Sequence, residues 1–159
     1  MKNAIFFIFL VSFAGTCLKS FAQESGYYFK DNRKWTDVGF YTDGKKDGSW
    51  MQTDSDGNIN FVETYKMGIK HGVFLTFDKK GDLIKQEFYN EGKRKGWSIG
   101  YYSSNKPKEK VFYSEGKRNG KAIRYYENGS VMEQSNYKDD LKEGTTKWYS
   151  DNRKLIAQY

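Results

Sequence analysis

The stretch Tyr89-Asn90-Glu91-Gly92-Lys93-Arg94-Lys95-Gly96 returns 24 residues later as Tyr113-Ser114-Glu115-Gly116-Lys117-Arg118-Asn119-Gly120. Its leading aromatic recurs at Tyr41, Tyr65, Tyr89, Tyr113 and Tyr137, and its closing glycine at Gly48, Gly72, Gly96, Gly120 and Gly144, with no insertion between copies. A fixed period of this length specifies a repeat array, in which each unit buries its faces only by stacking on its neighbours. An aromatic followed by two glycines reads as a strand end that enters a turn twice punctuated by glycine.

The ends of the array follow from the same period. Phe29-Lys30-Asp31-Asn32-Arg33-Lys34-Trp35 matches Tyr149-Ser150-Asp151-Asn152-Arg153-Lys154-Leu155 at a shift of 120, which is five periods. The array therefore opens on a half unit at 28–40 and continues through units at 41–64, 65–88, 89–112, 113–136 and 137–159. Each unit holds two strand-length runs. The pairs between them are Asn32-Arg33, Asp56-Gly57, Lys80-Gly81, Ser104-Asn105, Asn128-Gly129 and Asn152-Arg153, and every pair contains Gly or Asn. These residues reach positive φ most readily, so the unit is a β-hairpin.

Period-two alternation supports strands over helices. One face of the first runs carries Met51 and Thr53, Leu75 and Phe77, Ile99 and Tyr101, Ile123 and Tyr125. The opposite face holds Trp50, Phe74, Ser98, Ala122 and Thr146 and is not uniformly polar. The expected fold is all-β: an elongated, single-layer antiparallel meander of about five and a half stacked 24-residue hairpins. Eleven strands at ~4.8 Å spacing make it roughly 50 Å long. No second layer is visible, so aromatic ladders across neighbouring strands must stabilise it.

The Tyr-x-x-Gly-x-x-x-Gly pattern, a later aromatic such as Tyr101 or Tyr125, and an Asn-Gly-like turn resemble the bacterial variant of the MORN repeat over nearly all of 28–159. Proteins carrying that repeat are often labelled antitoxins of the YwqK type, so the resemblance implies a toxin as one class of partner. This sequence departs from the pattern at Asp140, which replaces the first Gly, and at Asn105 and Arg153, which replace the hairpin Gly.

Residues 1–22 have the form of a secretory signal peptide: Lys2, an apolar run from Ala4 to Cys17, and Ser20-Phe21-Ala22 before a cleavage point at Gln23. The repeat domain is then 23–159, in a protein expected to be periplasmic, envelope-bound or secreted. Lipid modification at Cys17 is a competing expectation, although Ala14 and Thr16 depart from a lipobox. Removing Lys2 and Lys19 lowers the net charge from +7 to +5 and leaves seven Phe, thirteen Tyr and four Trp. That aromatic content argues against disorder. The cleaved chain has no cysteine, which excludes disulfides and thiolate chemistry.

Chemistry has few carriers here. The only histidine, His71, occupies a slot that holds Asp47, Lys95, Asn119 and Glu143 in the other units, the mark of a solvated position. The acidic loop 54–58 lacks the Gly and Glu spacing of an EF-hand and reads as a plain turn. Without an activating histidine no serine becomes a nucleophile. The reading is a non-enzymatic protein with no cofactor and no metal. Basic residues recur along one edge at Lys45, Lys46, Lys70, Lys93, Arg94, Lys95, Lys117, Arg118 and Lys142, which suits a polyanion or membrane surface. The net charge of these turns falls to −1 in the last unit, which favours an ordinary solvated edge, and nucleic acid is not expected.

The third unit differs most from its siblings, with Trp97, Gly100 inside a strand, and the single proline, Pro107. The expected binding residues are Lys93, Arg94, Lys95, Trp97, Tyr101 and Tyr125, and the expected role is a protein–protein interaction scaffold. Antitoxin action by direct contact and polyanion or membrane-surface binding are the alternatives. The apolar segment 155–159 is expected to support edge-to-edge self-association.

Overall fold

A computed structural model describes residues 26–31 and 35–159. The signal peptide, Cys17, the cleavage point and the Asn32-Arg33 turn lie outside the described residues. Thirteen strands are found among them: β1 Gly26–Asp31, β2 Trp35–Thr42, β3 Lys45–Asp54, β4 Ile59–Lys66, β5 Ile69–Phe77, β6 Leu83–Asn90, β7 Lys93–Arg94, β8 Gly96–Tyr101, β9 Pro107–Ser114, β10 Lys117–Tyr125, β11 Val131–Lys138, β12 Leu141–Tyr149 and β13 Leu155–Gln158. They form one antiparallel sheet in chain order, with the two-residue β7 pairing β6 beside β8. The meander holds, but its path has twelve strands rather than eleven. The additional one is β1, which pairs with β2 from Gly26↔Tyr41 to Asp31↔Thr36 and completes the hairpin that the sequence reads as a half unit.

Two kinds of turn alternate along the sheet. The motif turns are the tighter kind, with two central residues both at positive φ: Met67 (50°) and Gly68 (83°), Glu91 (48°) and Gly92 (80°), Glu115 (50°) and Gly116 (85°). This is the type I′ geometry whose twist matches that of paired strands, and it explains the first motif glycine. The other turns close through a longer loop, as where the Asp54 N–H donates to the Asn58 carbonyl (2.8 Å) and the Gly57 N–H to the Asp54 carbonyl (3.1 Å). One loop residue takes positive φ each time, and it is Asn105 (58°) and Arg153 (69°) where the sequence departs from glycine. The Asp54 carboxylate accepts from the backbone N–H groups of Asp56 and Asn58, so it closes its own turn.

The second motif glycine belongs to a strand and not to the turn. Gly48 lies inside β3 and Gly72 inside β5, at φ 73° and 102°. There the register slips by two: Glu63 faces Phe74, whereas Tyr65 faces Lys70. This bulge places His71 within β5 instead of in a loop.

The slip is even, so it leaves each side chain on its own face, and burial marks which face is covered. Trp50 is 2 % exposed and Phe74 7 %, and Glu133, Ser135 and Thr146 are buried on the same side. The covered face is therefore the Trp50 face, while Met51, Leu75, Ile99 and Ile123 lie on the opposite one. Trp50 fits because Gly39 sits beneath it: a Cβ there would come within 2.1 Å of the indole. The indole N–H donates to the Phe40 carbonyl at 3.2 Å. Ring contacts link Tyr28, Tyr41 and Trp50, and then Tyr65, Phe74 and Tyr89, at centroid distances between 4.7 and 5.7 Å.

In place of a second layer, basic side chains lie over these rings. Lys46 Nζ is 4.3 Å from the Trp50 centroid and 5.1 Å from that of Tyr65 in the next unit. Lys70 does the same over Phe74 and Tyr89. Arg94 stacks on Tyr113 at 4.0 Å and Arg118 on Tyr137 at 4.4 Å. Each contact adds about 0.5–1 kcal/mol, and those to Tyr65, Tyr89, Tyr113 and Tyr137 join one unit to its neighbour.

Candidate interaction face

Alternation through the slipped register sorts the residues expected to bind. Lys93, Lys95, Trp97, Tyr101 and Tyr125 all project from the open face, opposite Trp50. Arg94 projects from the covered face, where it stacks on Tyr113 and approaches Glu87 at 3.6 Å. The basic edge divides in the same way. Lys46, Lys70, Arg94 and Arg118 roof the covered face, whereas Lys93 and Lys117 pair with turn carboxylates of the next unit, Glu115 at 2.8 Å and Asp139 at 3.5 Å. Hydrogen bonding to Glu115 raises the Lys93 ammonium above its ordinary pKa, and the same contact lowers the carboxyl. The recurring cations are thus largely joints between units, and the edge is less available to a ligand than the sequence implies.

The open face has an apolar row that the sequence reading missed. Val73 faces Phe88 across β5 and β6, and Trp97 faces Phe112 across β8 and β9. Gln86 pairs with Ile99, so Phe88 and Trp97 fall at the same level and all four side chains line up over four strands. Trp97 meets Phe112 edge-on, with centroids 5.3 Å apart and planes at 80°. Phe88 is 43 % exposed, Trp97 39 % and Val73 38 %, so no other part of the described residues covers them. In the adjacent row Val38, Met51, Val62 and Leu75 continue the apolar surface toward β2. Lys121, Gln134, Asn136, Thr145 and Lys147 make the same face polar toward the other end.

Tyr101 and Tyr125 border this surface rather than forming its centre. The Tyr101 hydroxyl hydrogen-bonds the Gln86 side chain at 3.2 Å, and burial raises the Tyr125 phenol pKa. Gly100 marks a close approach: its Cβ would lie 3.1 Å from Glu109 Cγ, and the register shifts just after it, opposite Pro107. Period two would have put Phe88 with Trp97 had the strand been known to run through Gly96. Reading that glycine as part of a turn hid the pairing. Among the described residues, no group of three His, Cys, Asp or Glu side chains is placed to hold a metal ion.

At the far side, among the described residues, β13 pairs with β12 alone. Tyr159 and Thr146 exchange both backbone hydrogen bonds, so Ala157 also faces inward and Ile156 and Gln158 point their amides outward. Ile156 is 63 % exposed.

Comparison with known proteins agrees with the repeat. Residues 118–139 match the family model of the MORN repeat variant. No curated protein matches the chain. Among solved structures, the Glycosylation Associate Protein (Gap123) complex from Streptococcus agalactiae is similar at 15% identity and a TM-score of 0.39. That alignment covers 66% of this chain and 20% of the other. The matched stretch runs from Arg118 on β10 to Asp139 in the last motif turn, one hairpin of an array whose other hairpins follow at the same period. Residues 118–139 thus match the MORN repeat variant, and the other hairpins share their period and turn geometry.

Proposed function

We propose that this is an exported, non-enzymatic binding protein that holds a protein partner on the open face of its sheet, centred on Phe88 and Trp97. The observation that carries the reading is the contrast between the faces. Trp50 and Phe74 are buried on one side, while Val73, Phe88 and Trp97 stand on the other with no second layer over them among the described residues. An aligned apolar row with a polar border has the make-up of an interface centre and its rim.

A photo-crosslinking amino acid placed at Phe88 in the producing cell tests this directly. A discrete protein adduct is expected from Phe88 and none from Thr145, which lies on the same face at its polar end. Lipid adducts alone, or equal adducts from both positions, would overturn the reading. Export is checked separately by the mature N-terminus, expected at Gln23. A second contact is favoured by the exposed Ile156 on the outermost strand, through which copies pair edge to edge. Ile156→Pro removes an outward amide and is expected to abolish any concentration-dependent self-association in sedimentation, and an unchanged profile would exclude this contact.

A further inference from the structure

The open face is also uneven in charge, and this bears on the chemistry of its partner. From β5 to β10 it presents Lys93, Lys95, Lys110, Lys117 and Lys121, and these strands bring no carboxylate to the same side. Their carboxylates, Glu87 and Glu109, alternate onto the covered face, where Glu87 meets Lys85 at 3.0 Å and Arg94 at 3.6 Å. Glu115 and Asp139 hold Lys93 and Lys117, but Lys95, Lys110 and Lys121 form no salt bridge among the described residues. One face of the third and fourth units is therefore neutralised from within, and the other awaits charge from outside.

We propose that the open face receives an acidic protein segment with an apolar centre. Its aliphatic or aromatic side chains seat on Val73, Phe88, Trp97 and Phe112, and its Asp or Glu side chains reach Lys95, Lys110 and Lys121. This rests on the protein-binding reading above and adds the class of partner. Four strands at ~4.8 Å spacing make the apolar row about 14 Å wide, the scale of a hot-spot cluster. Gln86, Asn90, Ser114 and Asn119 surround it with directional hydrogen-bonding groups, as an interface rim requires. Trp97 lies edge-on against Phe112 within the row, so the surface receives a segment better than it inserts into a lipid layer.

A random peptide library displayed on phage and selected on the full chain tests the proposal. Enriched peptides are expected to carry Asp or Glu around an aliphatic or aromatic centre. Their affinity should fall about tenfold or more with Trp97→Ser or with Lys95→Glu and Lys121→Glu together. Added salt should weaken binding, and Lys147→Glu, at the far end of the face, should leave it unchanged. The two lysine reversals are at exposed positions and keep the test independent of folding. Neutral or basic peptides, or acidic ones indifferent to Lys95 and Lys121, overturn the acidic-partner inference. The protein-binding reading then still stands if Phe88 crosslinks a protein. Failure to enrich any peptide also overturns the inference. If phosphatidylglycerol vesicles then sediment the chain through Trp97, the face is a lipid-binding surface and both readings fall.

Discussion

The units at 41–64 and 65–88 and those at 113–136 and 137–159 share their turns, bulges and register, yet they fill the sheet differently. In the first pair the covered face holds Trp50 and Phe74 with stacked rings around them. In the second pair the same slot holds Ala122 and Thr146, and the neighbouring buried residues are Ser135 and Glu133. Glu133 takes the place of packing there, accepting from Lys142 at 2.9 Å with Arg124 at 3.7 Å. The open face changes at a similar place, from the apolar row around Phe88 and Trp97 to the polar surface around Lys121 and Lys147. The turn glycines and the tyrosine–cation joints therefore define the backbone, and the slot residues decide what each section holds or displays.

The largest test of that division is Trp50→Ala. Removal of a buried Trp typically destabilises by about 3–5 kcal/mol, against roughly 1 kcal/mol for Thr146→Ala in the equivalent slot. Repeat arrays lose stability locally, so hydrogen exchange should rise in β1 to β4 and change little in β10 to β13. Gly39→Ala should approach the Trp50→Ala effect, because the added methyl group occupies the indole's place. Equal losses from Trp50→Ala and Thr146→Ala in urea melts would show that the two ends are not held differently.

Glu133→Ala probes the other end and should rank second. It removes a charged acceptor, about 1.5–3 kcal/mol, while Lys142 and Arg124 are 48% and 60% exposed and can return to water. The increase in exchange should now fall in β10 to β13. If it appears in β3 to β6 instead, the polar section does not depend on this carboxylate.

Alkaline pH should act on both sections, with a tyrosine share in the first. Burial, together with donation to Glu63 at 2.7 Å, holds the Tyr65 phenol well above its usual range, and burial also raises Tyr41 and Tyr89. The hydrogen bond to Glu133 raises Lys142. A folded pKa above the unfolded one gives stability that is complete below the unfolded value and lost as pH rises through the folded one. Stability should therefore fall from about pH 10 upward, in step with phenolate absorbance. Tyr65→Phe should lose about 1 kcal/mol at neutral pH and make the alkaline decline shallower. An unaltered decline would remove Tyr65 from this account.

Local chemistry made most of the fold legible. Gly or Asn at positive φ marks the turns in sequence, and the period places them. The first strand escaped because no copy of the motif precedes it within the aligned array. The second glycine misled because Gly96 allows a bulge as readily as a turn, and only cross-strand register separates the two. That error placed Arg94 with the binding residues and hid Phe88. The seat of Trp50 on Gly39 joins residues eleven apart on different strands, which no local pattern reveals.

The smallest expected effect concerns a departure from the motif at the polar end. Asp140 stands where the other motif turns have glycine, at φ 71°, a strained conformation for a side chain. Its carboxylate accepts from the Arg118 backbone N–H at 2.9 Å and from Arg118 Nε at 3.2 Å, and these bonds lower its pKa. Asp140→Gly relieves the strain but loses both bonds, so at neutral pH the variant should be only slightly less stable. A lowered carboxyl pKa gives stability that is present above the unfolded value and lost as pH falls through the folded one. The deficit of Asp140→Gly should therefore shrink as pH falls below the ordinary Asp value of about 4, until Asp140 is protonated and only its backbone strain remains. A deficit that stays constant over that range in thermal melts would mean that the carboxylate does not hold this turn, and that the last unit keeps its shape through backbone pairing alone.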